Sequence, residues 1–219
     1  MKYLILSDIH ANWDALQAVL AVTEGTYDHI LCCGDLVGYG PEPNRVVSWA
    51  RKHVHAVVRG NHDRVCSGLD DAWAFNSTAR ESARWTKRRL TTPNKNWLKE
   101  LKEGPVDLEA CTLVHGSPLD EDEYVKSADD ASYCRANLTK TVTFFGHTHY
   151  QCVFQWRDLE TTPDLLRGFT PGAKIDIQSG LVYMINPGSV GDQRDEDPRA
   201  AWALYDTVSQ SVAMNRTQL

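Results

Sequence analysis

The sequence predicts an α/β fold with a partly parallel β-sheet, and three observations predict it. Short runs of Val, Ile, Leu and Phe recur along the chain, and each is closed by a polar cluster, as buried strands are. In the first third of the chain, these runs alternate with stretches whose apolar residues recur at helical spacing, which is typical of parallel strands joined by helices. Later, the connections between runs become short, which favours antiparallel pairing.

The strand candidates are short and apolar. They cover residues 3–6, 30–33, 54–58, 112–114, 142–145 and 181–185. We expect residues 182–185, 201–205 and 211–214 to pair in antiparallel fashion, because short connections join them. Residues 157–178 contain Pro163, Gly168, Pro171 and Gly172, which predicts a long loop or a loose hairpin.

Four stretches have apolar residues at helical spacing. The first begins at Trp13 and has a stop signal at Gly25. The second opens after Pro43, the third covers residues 75–90, and the fourth surrounds Trp97 and ends near Gly104. The segment 66–105 therefore contains helices and no predicted strand. It forms either a helical cap beside a functional site or outer-layer helices on the sheet, and both alternatives stay open.

Length and composition indicate one globular domain. A chain of 219 residues can bury a substantial core, and we expect a single domain over residues 1–219 with a helical insertion at about 66–105. The content of 42% hydrophobic and 24% charged residues argues against disorder. The formal net charge of −6 favours neither nucleic acid nor an anionic membrane as a partner, although some of the carboxylates could bind cations.

The amino terminus and the cysteines bear on the compartment. Residues 3–6 are the only apolar run before Asp8, which is too short for a signal peptide or a membrane helix. We therefore expect a cytoplasmic protein. The six cysteines form no Cys-x-x-Cys pair, and in that compartment we expect reduced thiols.

Polar side chains follow successive predicted strands at the point where each strand ends. In open α/β sheets, ligands bind outside this edge. Five of the eight histidines stand directly after a predicted strand, namely His10, His62, His115, His147 and His149. Each motif is weak alone, since an Asp-x-His pair is common in turns and a helix cap needs a single polar residue. The pair formed by His147 and His149 is stronger, because alternate side chains of an extended segment point the same way and can chelate a metal.

In their order along the chain, these motifs resemble those of the calcineurin-like metallophosphoesterase superfamily. The likeness is greatest to its small bacterial and archaeal branch, in which a Gly-Tyr-Gly-Pro stretch follows the second motif, as at residues 38–41. An Asn-Pro-Gly-Ser-Val-Gly turn at 186–191, followed by Arg194 and an Asp-Pro-Arg triplet at 197–199, is also typical. The resemblance implies an α/β/β/α sandwich, in which two packed mixed β-sheets are flanked by helices.

The resemblance also implies a binuclear metal centre. It assigns Asp8, His10 and His149 to one metal ion. It assigns Asn61, His115 and His147 to the other ion, with Asp35 bridging both. Carboxylate, imidazole and amide ligands suit two divalent ions, with manganese expected and Fe, Zn, Ni or Mg as alternatives. The implied nucleophile is a hydroxide that bridges the two ions.

Further residues are implied to take part in catalysis or substrate binding. His62 resembles a general acid that protonates the leaving oxygen, and Asp63 could orient its ring, although a purely structural histidine is the alternative. Candidate substrate contacts are Asn12, Tyr39, Arg64 and Arg194. Each of these has a structural alternative, such as helix capping, core packing or local ion pairing.

The resemblance implies an enzyme that hydrolyses phosphomonoesters, phosphodiesters or nucleotide anhydrides. The expected partner is a small phosphate ester or a nucleotide, without a membrane and without nucleic acid. One alternative is a non-catalytic metal-binding scaffold or protein-interaction module. A second alternative is a protein phosphatase or a nuclease, and the acidic composition counts against the nuclease.

Overall fold

A computed structural model describes residues 1–158 and 160–219. Among these residues, the strands are β1 (Lys2–Leu6), β2 (His29–Cys32), β3 (Val54–Val57), β4 (Val106–Asp107), β5 (Thr112–Leu113), β6 (Val142–Phe144), β7 (Cys152–Trp156), β8 (Asp164–Leu166), β9 (Ala173–Asp176), β10 (Val182–Asn186), β11 (Ala200–Asp206) and β12 (Ser211–Thr217). The α-helices are α1 (Trp13–Thr23), α2 (Pro43–His53), α3 (Asn61–Ser67), α4 (Ser77–Arg89), α5 (Thr92–Lys99) and α6 (Ala128–Cys134).

The strands form two mixed sheets. The first sheet has the order β3-β2-β1-β11-β12-β9, with β1, β2 and β3 parallel to one another. The second sheet has the order β4-β5-β6-β10-β7-β8, with β5, β6 and β10 parallel. The parallel strands of each sheet therefore end at one edge, and this is where the predicted polar motifs lie.

Successive side chains of a strand point to opposite faces, so each sheet packs against the other sheet on one face and against helices on the other. The fold therefore has four layers. Tyr3 and Ile5 of β1 pack with Phe144 and Tyr183 of the second sheet, whereas Leu4 and Leu6 face the other way, in a cluster that includes helices α1 and α2. The outer face of the second sheet packs against α6. The expected α/β/β/α sandwich of two mixed sheets flanked by helices is confirmed.

The pairing of the later strands differs from the expectation. Within the described part of residues 157–178, β8 and β9 do not pair with each other as a hairpin would, because β8 pairs with β7 in the second sheet and β9 pairs with β12 in the first. Strand β10 does not pair with β11, which belongs to the other sheet, and it pairs instead with β6 and β7. Of the expected antiparallel set, β11 and β12 do pair with each other. Long-range packing sets the partners of these strands. The length of the connection between two strands therefore does not predict whether they pair.

The helical segment 66–105 packs on the first sheet. Ala83, Leu90 and Leu98 are buried in the same cluster as Leu4 and Leu16. The helices of this segment are therefore outer-layer helices, although the turn that precedes α4 also lines a cavity whose wall includes Asp35 and His62. All six cysteines are among the described residues and are buried free thiols. Within the described part of the chain, we find no helix that is long and apolar enough to cross a membrane.

Candidate metal centre

The polar motifs meet where the carboxyl ends of the parallel strands of both sheets converge. They form two buried groups of potential ligands. One group contains Asp8, His10 and His149, and the other contains Asp35, His115 and His147. Within each group, one ligand atom from each residue lies within 4.8 Å of the others. The sequence motifs are thus brought together from separate strand ends.

Five residues of the two groups have an uncommon, left-handed backbone conformation. Asp8, His10 and Asp35 have positive φ angles of 51°, 49° and 53°. His147 and His149 have φ angles of 64° and 66°. L-residues rarely adopt this left-handed region, and each such residue costs on the order of 1–3 kcal/mol. Strain of this kind accumulates at sites where function requires a particular side-chain direction.

Two motif glycines leave room for the carboxylates of the centre. A Cβ atom at Gly60 would lie 2.1 Å from Oδ1 of Asp35. A Cβ atom at Gly146 would lie 2.9 Å from Oδ2 of Asp8 and 2.1 Å from Oγ of Ser7. These distances are far below van der Waals contact, so only glycine fits at these two positions.

Each histidine of the two groups uses one ring nitrogen to contact a backbone carbonyl. The contacts are His10 Nδ1 to Val37 O at 3.1 Å, His115 Nδ1 to Cys33 O at 2.7 Å, His147 Nε2 to Asp122 O at 3.1 Å, and His149 Nδ1 to Asp192 O. A carbonyl oxygen only accepts, so the contacting nitrogen donates and carries the proton. In the neutral ring the other nitrogen then has a free lone pair, which is the arrangement found in metal-ligating histidines.

Asp35, a member of the second group, also approaches the first group. Its Oδ2 atom is 3.6 Å from Nε2 of His10 in the first group and 3.4 Å from Nε2 of His115 in the second. The side-chain oxygen of Asn61 is 3.2 Å from the same Nε2 atom of His115, which places Asn61 at the second group. One carboxylate is therefore within reach of both groups.

The electrostatics of the centre match a site for cations. Burial alone would raise the pKa of Asp8 and Asp35, but neighbouring histidines hold both values below the usual range. Burial would likewise lower the pKa of His115 and His149, but the charges of Asp35 and Asp8 raise them to about 10 and about 9. Two buried carboxylates thus attract compensating positive charge. Their oxygens and the imidazole nitrogens fit divalent ions.

His62 differs from the other histidines of the centre. It lines the cavity beside Asp35, and burial lowers its pKa. Its Nδ1 atom is buried and has no hydrogen-bond partner among the described residues. The rings of Tyr39 and Phe75 pack against it, with centroids 4.7 Å and 4.6 Å away.

The described hydrogen bonds of Asp63 are with backbone groups and not with the ring of His62. Its carboxylate accepts hydrogen bonds from the backbone N–H of Gly60 at 3.1 Å and of Val37 at 3.2 Å. Asp63 therefore caps the start of α3 and does not hold the ring of His62. Burial, together with the charge of Asp35, raises the pKa of Asp63 to about 8.

The four candidate substrate contacts separate into two pairs. Tyr39 and Arg194 line a cavity of about 540 Å³ beside the two groups. Arg64 instead pairs with Glu121 and with Asp122, the latter at 2.7 Å, so its charge is already engaged. Asn12 accepts a hydrogen bond from Ala15 N–H, and it donates to Gly191 O, each at 3.1 Å. For Arg64 and Asn12, the structure therefore favours the structural alternative.

Replacement of Asn12 tests this assignment. We expect Asn12→Ala to lower the free energy of unfolding by about 1 kcal/mol, since it removes the cap of α1. We also expect KM for a phosphate ester to stay at the parental value. Chemical denaturation and steady-state kinetics would check both. An increase in KM at unchanged stability would make Asn12 a substrate contact after all.

Several cavity residues were not anticipated from the sequence. Tyr124 stacks on His147 with ring centroids 3.9 Å apart, and Asp192 approaches Nδ1 of His149 through a carboxylate oxygen at 3.3 Å. Phe75 and residues 76–79 also line the cavity. None of these follows a predicted strand, so a search at strand ends does not find them. For Asp192, the Gly-containing turn at residues 186–191 is a sequence feature that points to its position beside the site.

The likeness to known proteins extends over nearly the whole chain. A family model described as calcineurin-like phosphoesterase superfamily domain matches residues 1–210. The chain belongs to this superfamily. The crystal structure of a metallophosphoesterase from Sphaerobacter thermophilus is similar, with 36% identity, coverage of 100% of this chain and 88% of that chain, and a TM-score of 0.88. The phosphoesterase is thus a hydrolase of phosphate ester bonds, and the expected family and enzyme class are confirmed.

Two further relatives are similar over nearly the whole length. An uncharacterized protein of Methanocaldococcus jannaschii is 29% identical over 218 residues, which are 98% of this chain and 86% of the relative. A hypothetical protein of Pyrococcus horikoshii is 18% identical, covers 99% of this chain and 88% of that chain, and has a TM-score of 0.77. The second similarity bears on the fold of the phosphoesterase alone.

Proposed function

We propose that the phosphoesterase binds two divalent metal ions at the two groups, with manganese as the preferred ion, and hydrolyses phosphomonoesters, phosphodiesters or nucleotide anhydrides. The observation that carries the proposal is the position of Asp35 between two groups of histidines that each use one nitrogen for a backbone carbonyl. Asp8, His10 and His149 would hold one ion. Asn61, His115 and His147 would hold the other, and Asp35 would be shared.

The ions and the residues that line the cavity would have separate roles in the reaction. When bound, the two ions supply Lewis acidity towards the phosphoryl group and make water a better nucleophile. His62 would donate a proton to the leaving oxygen, since its ring lines the cavity beside Asp35. Arg194 lines the same cavity and would bind a phosphoryl oxygen, and Tyr39 would contact the leaving group.

We also propose that residues 1–219 are one domain and that the helical insertion at about 66–105 contributes to the substrate cavity. The buried cluster shared by Ala83, Leu98 and Leu4 supports a single unit. Ala74 and residues 75–79 line the cavity and support the second part. The cytoplasmic location stays a prediction from the sequence.

Removal of divalent metal is expected to abolish turnover and to lower the melting temperature. A cation that binds only the folded state stabilises it by about 4 kcal/mol when its free concentration is about 1,000 times Kd. Dialysis against a chelator, followed by addition of Mn²⁺, Fe²⁺, Zn²⁺, Ni²⁺ or Mg²⁺ separately, would show which ion restores both properties. Unchanged turnover and melting temperature after complete metal removal would contradict the proposal.

An activity panel would define the substrate. The reconstituted enzyme would be assayed with p-nitrophenyl phosphate, bis-p-nitrophenyl phosphate and a dinucleoside polyphosphate. Turnover of at least one of these esters is the expected result. Absence of turnover on the panel, with two ions bound, would favour the scaffold alternative.

A further inference from the structure

His62 has a setting that its proposed role does not explain. The four histidines of the two groups are each held by a backbone carbonyl, but Nδ1 of His62 is buried and unpaired among the described residues. The carboxylate of Asp63 is directed elsewhere. The orientation of the His62 ring is therefore set by packing instead of by a hydrogen bond at Nδ1.

Three rings pack against His62: that of His10, with its centroid 4.9 Å away, and two aromatic rings on different loops. The ring of Phe75 lies 4.6 Å from that of His62 at an interplanar angle of 36°, and the ring of Tyr39 lies 4.7 Å away at 45°. Tyr39 is fixed by its backbone N–H, which donates to Oγ of Ser82 in α4. Phe75 belongs to the turn that leads into the same helix.

Arg80 of α4 fastens the turn that carries Phe75. Its guanidinium donates to the carbonyl oxygens of Ala72, Trp73 and Phe75, each at 3.0 Å. Hydrogen bonds from a charged donor are stronger than neutral ones, so three of them from one side chain define the path of the turn.

Apolar packing holds this turn only in part, since Ala72 and Phe75 are partly buried against the cluster that contains Leu16. The side chain of Trp73 is 82% exposed and does not bury the turn. Behind the turn lies a cavity of about 280 Å³, lined by Val65, Ala72, Arg80 and Ala83 among others. The hydrogen bonds from Arg80 therefore act together with the contacts of Ala72 and Phe75 to hold the turn.

We propose that Arg80 and Phe75 are positioning residues for His62. Arg80 fixes the turn, and the turn presses Phe75 against the imidazole ring. Ser82 accepts a hydrogen bond from the backbone of Tyr39, so α4 is bonded to the segments that carry Tyr39 and Phe75. This inference rests on the proposed function, because it assigns to the helical insertion the task of orienting the general acid.

The leaving-group dependence of the rate tests the proposal. A general acid matters most when the leaving oxygen is basic, so its loss slows a phenyl or alkyl ester more than a p-nitrophenyl ester. We expect Phe75→Ala and Arg80→Ala to lower kcat for the phenyl ester by about 10- to 100-fold, at or below the lower end of the 10²–10⁴-fold contribution of a positioned acid. We expect kcat for the p-nitrophenyl ester to change by less than about 3-fold, since the acid contributes little there.

Matched controls come from the same turn and the same helix. Trp73→Ala removes an exposed ring next to Phe75, and Arg84→Ala removes an exposed arginine one turn along α4. Both are expected to leave kcat for both esters unchanged. Phe75→Leu keeps an apolar contact on His62 and should recover most of the rate on the phenyl ester. Metal content and the circular dichroism spectrum would show that each variant folds.

A double-mutant cycle separates positioning from general damage. In a His62→Ala background, Phe75→Ala is expected to have no further effect, because the two residues act through one ring. Equal losses on both esters, or full additivity with His62→Ala, would overturn the positioning role. If His62→Ala itself lost activity equally on both esters, the general acid in the proposed function would fail, and the positioning role with it. A selective His62→Ala loss with an unselective Phe75→Ala loss would overturn the positioning role alone.

Discussion

Asp35→Asn is expected to weaken the binding of both metal ions and to reduce kcat/KM by more than about 100-fold, which is the upper end of what loss of an outer-shell partner costs a metal site. The substitution keeps the size of the side chain and removes its charge. Because Oδ2 of Asp35 lies within 3.6 Å of a nitrogen from each group, both groups lose their shared anion. Isothermal titration of the metal-free protein with Mn²⁺ would measure both affinities.

The control for Asp35 is a carboxylate outside the centre. Asp14 is exposed in the first turn of α1, so Asp14→Asn should bind two ions with parental affinity. Asn61→Ala should weaken chiefly the second ion, because the side-chain oxygen of Asn61 contacts His115 of the second group. Retention of one full-affinity ion in Asp35→Asn would show that Asp35 serves a single group and is not shared.

His62→Ala is expected to keep both ions and to lose about 10²–10⁴-fold in kcat on an ester with a basic leaving group. The ring lies in the cavity, and its Nδ1 atom is not bonded to a backbone carbonyl in the manner of the four candidate ligands. Elemental analysis after gel filtration would measure metal content. Steady-state kinetics on the phenyl ester would measure the loss.

A histidine outside the site supplies the comparison for His62. His53 is exposed at the end of α2, and His53→Ala should be fully active. Collapse of metal content in His62→Ala would move this residue into the ligand set. Full activity with both ions bound would instead leave His62 with a structural role.

The two substitutions are expected to lower activity for different physical reasons, so a comparison of the two variants tests both assigned roles. Asp35→Asn acts on metal occupancy, so excess Mn²⁺ should recover part of its activity. His62→Ala acts after binding, and no metal concentration should rescue it. Recovery of His62→Ala by excess metal would contradict the assignment of separate roles.

The sequence by itself determined the layered α/β fold and the residues that meet at its edge. Successive side chains of a strand point to opposite faces, so the uninterrupted apolar run at residues 3–6 places Leu4 and Leu6 on one face of β1 and Tyr3 and Ile5 on the other. Polar residues directly after parallel strands are carried to the same edge by the fold. Metal-ligand candidates at strand ends can therefore be recognised in the amino-acid sequence alone.

Only the tertiary structure decided which polar residues are engaged elsewhere. Asp63 caps α3, Asn12 caps α1, and Arg64 pairs with acidic residues of a distant loop. In the sequence, these three are as close to the motifs as His62 is. Their roles depend on which hydrogen-bond partner is nearest in space, and sequence separation does not report that distance.

The same reason explains the residues that the sequence left unnoticed. Phe75 lies against His62 in a turn whose carbonyls accept hydrogen bonds from Arg80, and Tyr124 reaches His147 from a loop without regular structure. Strands β8 and β9 likewise take partners in different sheets. Local periodicity predicts elements and their faces, whereas loop paths and strand partners are chosen by long-range packing and hydrogen bonding, which exist only in the folded chain.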